Sequence, residues 1–163
     1  MIRIVAALDS RRGIADDNGI PWQGLLPADS THYHNLLQSG AAILMGRGVY
    51  NELSRPYAGV NNYVASRHLT QQDLRPGFII VHDVIYFLKN FRKDIWNIGG
   101  AAIYAETLSL ANELYLTRIF EDYKCTKFFP EFTAGFVLTD STPVKYQNGL
   151  KYRFEVWKSK TTS

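Results

Sequence analysis

Short apolar segments recur along this chain, and each is followed by glycine or a polar residue and then by a segment with helical spacing. The clearest is Ala41-Ala42-Ile43-Leu44-Met45, a continuous apolar run between two glycines. Such a run is typical of a strand buried on both faces, as in a parallel sheet. The alternation of strand and helix therefore predicts an α/β domain with a largely parallel sheet.

Further elements follow the same pattern. The other strands predicted for the parallel part are Ile2–Leu8, Asn62–Ser66, Phe78–Val81 and Ile95–Ile98. The predicted helices begin at Pro27, Val49, Val84 and shortly after Gly100, the first of them ending near Gly40 and the third capped by Asp83. In the last third, Glu113–Ile119 and Lys151–Trp157 alternate, and Asn148-Gly149 marks a tight turn, which predicts an antiparallel edge.

The composition fits one domain, over residues 1–158, followed by a C-terminal tail at 159–163. The chain has 163 residues, 46% of them hydrophobic, which is enough for a substantial core. No run of about 18 apolar residues occurs, and the first strand is too short for a signal peptide. We therefore expect a cytoplasmic protein that does not enter a membrane.

The net charge and the metal-ligating residue types limit the binding partners that we expect. The net charge of +3 comes partly from Lys158 and Lys160, and no clustered basic stripe is present, so no nucleic-acid partner is expected. His32 and His34 are two positions apart on a helix and face different directions, and Cys125 is the only cysteine. We expect no metal site and no disulfide.

One acid stands out in the segment Gly19-Ile20-Pro21-Trp22-Gln23-Gly24-Leu25-Leu26-Pro27-Ala28-Asp29. Counting from Asp29, the residues at helical spacing are Tyr33, Leu36 and Leu37, so the carboxylate shares the apolar face. It either complements the helix N-terminus or points inward to meet the N–H donors of a ligand. The preceding loop, Asp9 to Gly24, is long enough to be functional, with Trp22 as a wall or a packing residue.

Two further segments place glycines between a buried strand and a helix. They are Met45-Gly46-Arg47-Gly48 and Ile98-Gly99-Gly100-Ala101-Ala102. Free backbone N–H groups at such a junction attract phosphate, and Arg47 adds a guanidinium. With Arg67 at a third strand end, the pattern favours a dinucleotide site, although neither segment has the Gly-x-Gly-x-x-Gly spacing.

Taken in order, these segments resemble the dihydrofolate reductase family across nearly the whole chain. The matching pieces are Ile4-Val5-Ala6-Ala7, Gly13-Ile14, Ile20-Pro21-Trp22, Leu26-Pro27-Ala28-Asp29, Ile43-Leu44-Met45-Gly46-Arg47, Arg55-Pro56, Ala65-Ser66-Arg67, Ile98-Gly99-Gly100 with Ile103-Tyr104, Leu114-Tyr115-Leu116-Thr117 and Phe128-Phe129-Pro130. The resemblance implies a mixed, mainly parallel eight-stranded sheet flanked by helices, with an antiparallel C-terminal strand. It also implies hydride transfer from NADPH to C6 of dihydrofolate and protonation at N5, by a monomer.

The resemblance implies a role for each group of site residues. Asp29 would bind the pterin, with Thr117 supporting it and Trp22 holding an ordered water. The substrate would contact Val5, Ala6, Asp29, Ser30, Tyr33, Leu53, Tyr57, Ile98, Tyr104 and Thr117. NADPH would contact Ala7, Ile14, Ile20, Gly46, Arg47, Gly48, Val49, Ser66, Arg67, Ile98, Gly99, Gly100, Ala101, Ala102, Ile103 and Tyr104.

The chain departs from the family pattern at the tail end of the substrate. The family usually has an arginine after the Pro-x-x-Gly turn, to bind the glutamate of folate, and this chain has Val60 there. Losing such a pair weakens binding by about 1.5–3 kcal/mol. Ser30 stands where a bulkier apolar residue usually packs on the ligand, and Tyr57 replaces an aliphatic wall residue. Val49 replaces a hydroxyl residue that usually meets the cofactor. Two alternatives therefore stay open: a reductase of a smaller pterin or pyrimidine, and a non-catalytic nucleotide-binding module.

Overall fold

The computed structural model describes residues 1–39 and 42–161. Its strands are β1 (Ile2–Leu8), β2 (Gly13–Ala15), β3 (Ala42–Gly46), β4 (Asn62–Ala65), β5 (Phe78–Val81), β6 (Ile95–Asn97), β7 (Glu113–Ile119), β8 (Lys127–Phe128), β9 (Phe136–Ser141), β10 (Lys145–Gln147) and β11 (Leu150–Ser159). Its helices are α1 (Pro27–Leu37), α2 (Arg47–Glu52), α3 (Val84–Asn90) and α4 (Ala101–Thr107), with 3-10 turns at Gln71–Asp73 and Leu108–Leu110.

Local sequence explains where the helices begin. Pro27 occupies the first turn of α1, where the missing N–H needs no partner. The Asp83 carboxylate accepts a 2.9 Å hydrogen bond from the backbone N–H of Tyr86 and caps α3. Both helix starts confirm the predictions from sequence.

Eight strands form one continuous path in the order β10-β11-β7-β1-β6-β3-β4-β5, and β9 pairs with β11 outside that path. The pairings from β7 to β5 are parallel, whereas β11 runs antiparallel to β7, β9 and β10. β2 and β8 form a separate antiparallel pair. The mixed, mainly parallel sheet with an antiparallel C-terminal strand is the architecture expected from the resemblance.

Parallel pairing brings the carboxyl ends of six neighbouring strands to one edge of the sheet. Ala7 of β1 lies opposite Thr117 of β7, and Leu44 of β3 lies opposite Asn97 of β6. Gly46 at the end of β3 lies opposite Ala65 at the end of β4. Ligands of open α/β sheets bind at this kind of edge, and the candidate residues converge there.

Helices cover both faces of the sheet. On one face, Val5, Ile43, Met45 and Ile98 belong to a buried cluster against which Tyr33 and Leu36 of α1 pack. On the other face, Leu44 and Ile95 pack with Val84 and Leu88 of α3 and with Ile103 of α4. α1 therefore lies over the face that carries Val5 and Ile98.

Some boundaries differ from the sequence expectations. β2 lies inside the segment expected to be an unbroken loop. α2 begins at Arg47 rather than at Val49, since the helix follows β3 with no residue between them. The expected strand residue Ala41 and the expected helix stop Gly40 lie outside the described residues. β11 extends to Ser159, the first residue of the expected tail, and residues 162–163 also lie outside the described residues.

β9 and β10 are additional strands. Their side chains are mostly exposed, so they lack the alternation of apolar and polar residues by which half-buried strands are detected. Asn148 and Gly149 both have positive φ, 49° and 78°, in the two-residue turn between β10 and β11. This confirms the predicted tight turn. No helix of residues 1–39 and 42–161 is long and apolar enough to span a membrane.

Candidate active site

The carboxylate of Asp29 is joined to the sheet by Thr117. Asp29 lies in the first turn of α1, and its Oδ1 accepts a 2.6 Å hydrogen bond from the Thr117 hydroxyl of β7. Thr117 is 3% exposed, so the acid points toward the sheet rather than into solvent. Of the two alternatives for Asp29, the structure supports the inward orientation.

Burial raises the pKa of Asp29 above its ordinary value. The hydrogen bond from Thr117 and the nearby charge of His32 act in the opposite direction and offset part of this effect. Burial and the charge of Lys145 lower the pKa of His32, while Asp29 raises it. The site therefore holds a carboxylate whose charged form is costly without N–H donors, which suits it to bind a ligand that supplies them.

Val5 and Ile98 form the floor beside Asp29. Val5 is buried in β1, and Ile98 is buried directly after the neighbouring strand β6. Ala6 is half-buried, and its side chain packs on the opposite face of the sheet, against the cluster that contains Ile4 and Tyr104. The Tyr104 hydroxyl of α4 donates a 2.8 Å hydrogen bond to the carbonyl oxygen of Val5. Tyr104 is itself buried and lies on the opposite face of the sheet. Its hydrogen bond therefore holds the backbone of the floor at Val5 from that face.

Tyr33 and Tyr57 form one wall, since their hydroxyl oxygens lie 2.9 Å apart. Tyr33, Tyr57 and Leu53 pack against the same apolar cluster as Val5 and Ile98. Ser30 is exposed on α1. Three predicted substrate residues therefore pack around a common apolar floor, whereas Ser30 is exposed to solvent.

Trp22 is buried among apolar residues. It is 4% exposed and packs with Leu26, Ile119 and Cys125, and its ring centroid lies 5.4 Å from that of Tyr123. Ala7 and Ala28 border the same cluster. Trp22 thus attaches the loop before α1 to the sheet beside Asp29.

Ile14 and Ile20 belong to the loop expected to close over the nicotinamide. Ile14 is half-buried in β2 and packs against a buried cluster that contains Ile4 and Leu8 of β1. Ile20 is 42% exposed beyond the β2 end. The structure therefore places Ile14 at the sheet and leaves the Ile20 side chain free to meet a ligand.

The two glycine segments meet directly. The backbone N–H of Gly46 donates a 2.6 Å hydrogen bond to the carbonyl oxygen of Gly99. Gly99 has φ +93°, and a Cβ at this position would collide with the Tyr104 ring, so only glycine is accommodated. The sequence pattern indicated two separate segments. In the structure they form one continuous edge at the carboxyl ends of the strands.

A buried polar network positions this edge. Asn97 accepts a 3.0 Å hydrogen bond from the Gly99 N–H, and its Nδ2 donates at 2.7 Å to the Thr107 hydroxyl. Thr107 in turn donates at 2.6 Å to the Ile103 carbonyl oxygen. Sequence reasoning missed this network, although an asparagine inside a buried apolar strand is a detectable signal.

Three polar residues extend the edge to the neighbouring strand ends. Arg47 and Ser66 each come one residue after the paired ends Gly46 and Ala65 of β3 and β4. Arg67 follows, and its Nη2 lies 3.1 Å from Oε1 of Glu106 on α4. The Ser66 hydroxyl oxygen accepts hydrogen bonds from the N–H groups of His68 and Leu69, which shapes the turn that carries Arg67.

The edge fits the phosphate-bearing part of a dinucleotide. An added Cβ at Gly48 or at Gly100 would meet no atom within 4 Å, which leaves the backbone open to a close ligand. Arg47 and Arg67 are exposed at this edge and supply guanidinium groups suited to phosphate. The remaining predicted cofactor residues are adjacent: Val49 in α2, and Ala101, Ala102 and Ile103 in the first turn of α4.

Asp9 is a second acid at the same sheet edge, and its role is structural. It is 1% exposed and accepts hydrogen bonds from the N–H groups of Arg11, Gly13 and Tyr123, at 2.9, 2.7 and 3.1 Å. These bonds tie the turn after β1 to the segment that precedes β8. Sequence reasoning assigned Asp9 no role, although an acid at the end of a buried strand signals such a turn.

A cavity of about 520 Å³ lies on a different part of the surface. It is lined by Ser10, Arg11, Arg12, Arg118, Phe128, Glu131, Phe132 and Thr133. None of these is a predicted site residue. Arg12 forms an ion pair with Glu131, and Arg118 forms one with Glu155. We therefore do not assign this cavity to the active site.

One end of this sheet edge carries a partly buried acid, and the other end carries glycines and arginines. Such an arrangement defines a protein that holds a heterocycle against a dinucleotide. The family model for dihydrofolate reductase matches residues 1–159. This chain therefore belongs to the dihydrofolate reductase family, which confirms the resemblance found in the sequence.

Individual relatives agree. Dihydrofolate reductase of Bacillus subtilis (strain 168) is 27% identical over 168 residues, covering 100% of this chain and 97% of that protein. Dihydrofolate reductase type 3 of Salmonella typhimurium is 33% identical over 138 residues, covering 82% of this chain and 81% of that protein.

A solved structure supports the fold. Dihydrofolate reductase from Enterococcus faecalis, complexed with NADP(H) and RAB-propyl, matches with a TM-score of 0.81. The two share 20% sequence identity, and the match covers 98% of this chain and 96% of that chain. The likeness extends over the whole sheet and its helices.

Proposed function

We infer that this chain is an oxidoreductase that reduces 7,8-dihydrofolate to 5,6,7,8-tetrahydrofolate with NADPH, as a step of one-carbon metabolism. Membership of the family over residues 1–159 supports the activity. The observation that carries the assignment of the site is the hydrogen bond between Thr117 and the inward carboxylate of Asp29. This bond supports the proposal that a heterocycle with adjacent N–H donors pairs with the acid.

Asp29 binds the pterin through two hydrogen bonds. The ring N3–H and the 2-amino group donate to its two carboxylate oxygens, and Thr117 orients the carboxylate. The negative charge favours protonation of the substrate imine at N5, because opposite charges in a partly buried site interact strongly. The proton reaches N5 from water, which we propose is ordered beside Trp22.

NADPH supplies the hydride that is added to C6. We propose that Ser66, Arg47 and Arg67 hold its phosphates, and that two arginines favour NADPH over NADH through the 2′-phosphate. Glycine at positions 48 and 100 leaves the backbone open to the cofactor. Val5 and Ile98 keep water away from the reacting carbon because they form an apolar floor.

We also propose a single domain over residues 1–158, with a tail at 159–163, acting as a monomer in the cytoplasm. The acid, the floor and the dinucleotide edge all come from one chain, so no second copy is needed to complete the site. Substrate and cofactor are both small molecules. Light scattering of the protein with NADPH tests this proposal. A monomer should give one species with the mass of one chain.

The second candidate is a reductase of a smaller pterin or pyrimidine without a glutamate tail. Val60 favours it, because this residue offers no cation to a carboxylate. NADPH oxidation measured with dihydrofolate and with a tail-less dihydropterin separates the candidates. A higher kcat/KM for dihydrofolate supports the first, and equal values or a preference for the dihydropterin support the second. Absence of oxidation with either substrate contradicts both and favours the non-catalytic module.

A further inference from the structure

The hydroxyl groups of Tyr33 and Tyr57 form a bridge between two elements that face each other. Tyr33 belongs to α1, and Tyr57 belongs to the loop between α2 and β4; their hydroxyl oxygens are 2.9 Å apart. Tyr33 is four residues after Asp29, about 6 Å further along the same helix face. The bridge is therefore the next feature along α1 beyond the acid.

Both ends of the bridge are held in place. The side chain of Asn62, 1% exposed, accepts from the N–H of Tyr57 and donates to its carbonyl oxygen, each at 2.9 Å. Burial raises the pKa of Tyr33 far above its ordinary value, so this phenol stays protonated and able to donate. The bridge thus joins helix α1 to a loop that Asn62 holds in place.

The bridge borders the apolar cluster that forms the floor of the site. Both tyrosine rings pack against the cluster that contains Val5 and Ile98. A heterocycle bound to Asp29 by its N3 and 2-amino edge has C6 at the opposite end of the bicyclic ring. A substituent on C6 therefore points away from the acid.

Building on the proposed function, we propose that Tyr33 and Tyr57 form a latch that selects substrates by the size of the substituent at C6. A dihydropterin with a small C6 group occupies the floor with the latch closed. Dihydrofolate carries an aminobenzoyl-glutamate chain at C6 and must break the hydrogen bond between the two hydroxyls. Val60, in the same loop as Tyr57, supplies no cation to compensate, so the latch shifts the preference toward substrates without the chain.

Equilibrium binding tests the latch without depending on turnover. The dissociation constants of folate and of 6-methylpterin are measured by quenching of tryptophan fluorescence, for the wild type and for Tyr33→Phe and Tyr57→Phe. Each variant keeps the ring and removes one hydroxyl. The ratio of the folate constant to the 6-methylpterin constant is expected to fall about three- to tenfold, the worth of one hydrogen bond. Tyr86→Phe, at an exposed tyrosine of α3, serves as the matched control with no change in the ratio.

The double variant Tyr33→Phe/Tyr57→Phe separates a latch from two independent structural effects. Because either single change already breaks the bridge, the double variant should show the same ratio as the single variants. A ratio that stays at the wild-type value, or that rises because the hydroxyls bind the chain, overturns the latch.

The same measurements distinguish failure of the latch from failure of the proposed function. Wild-type protein that binds both probes but does not oxidise NADPH contradicts the function, while the ratios still decide the latch. Wild-type protein that binds neither probe contradicts both. Oxidation of NADPH together with unchanged ratios contradicts the latch alone.

Discussion

The hydroxyl of Thr117 donates a 2.6 Å hydrogen bond to Oδ1 of Asp29, a residue 88 positions earlier in the chain. This bond joins α1 to β7 and sets the direction of the Asp29 carboxylate. It also holds the pKa of Asp29 below the value that burial alone would give.

Replacing Thr117 with valine tests that bond. Removing the donor should raise the pKa of Asp29 further and lower kcat/KM for dihydrofolate about three- to tenfold near neutral pH. The measurement is the pH profile of kcat/KM, in which the step due to Asp29 should move upward. Thr117→Ser keeps the hydroxyl and should restore the wild-type profile. A valine variant with the wild-type profile would contradict the role of Thr117.

The charge of Asp29 is expected to reduce stability. The pKa of Asp29 is higher in the folded state than in the unfolded state. The free energy of unfolding therefore falls as the pH rises from the unfolded-state pKa to the folded-state pKa. Asp29→Asn should therefore melt at a higher temperature than the wild type near neutral pH. The difference should shrink as pH falls and vanish below about 3.9, the ordinary aspartate pKa.

Asp73 is the matched control for that experiment, because its pKa is shifted in the opposite direction. Hydrogen bonds from the N–H and hydroxyl of Thr70 hold the pKa of Asp73 below its ordinary value. Asp73→Asn should lower the melting temperature near neutral pH, and this loss should diminish in acid. Equal melting curves for Asp29→Asn and the wild type at neutral pH would contradict the burial of the charge.

Arg67 is paired with Glu106, which competes with the phosphate that Arg67 is proposed to bind. The pair is exposed, with Arg67 Nη2 3.1 Å from Glu106 Oε1, so its worth is modest. Glu106→Gln should lower KM for NADPH about two- to fivefold without a matching change for NADH. Glu52→Gln, at an exposed glutamate of α2, controls for the change in net charge. An equal effect on NADPH and NADH would contradict the proposed contact with the 2′-phosphate.

Val60 offers a gain-of-function test at the tail end. Its side chain is half-buried, and its carbonyl oxygen accepts a 2.9 Å hydrogen bond from Nδ2 of Asn62, so the backbone there is held. Val60→Arg should lower KM for dihydrofolate about ten- to a hundredfold with little change in kcat, because it adds a bidentate partner for the glutamate. Val60→Gln is the neutral control. An unchanged KM would mean that another cation, such as Arg55, already binds the tail.

Patterns within one element were sufficient to predict most of the parallel sheet and the starts of α1 and α3. Buried apolar runs identified β1 and β5 with their observed bounds, and Pro27 and Asp83 identified the starts of α1 and α3. These features depend on neighbours in the sequence, which is why they can be read from it.

Contacts between distant residues could not be predicted in the same way. The hydrogen bond from Gly46 to Gly99 and the bridge from Tyr33 to Tyr57 depend on strand order and loop conformation. Spacing and composition indicate that both glycine segments suit phosphate, but not that they touch. The resemblance to a family grouped these residues, and the three-dimensional arrangement supplied their partners.

The central claim is that the Asp29 carboxylate binds the substrate and promotes its protonation. The most direct measurement is kcat/KM for dihydrofolate in Asp29→Asn, together with the dissociation constant of NADPH for the same variant. A loss of about a hundredfold or more near neutral pH, with NADPH still bound, is the predicted result. Turnover at the wild-type rate in this variant would contradict the claim.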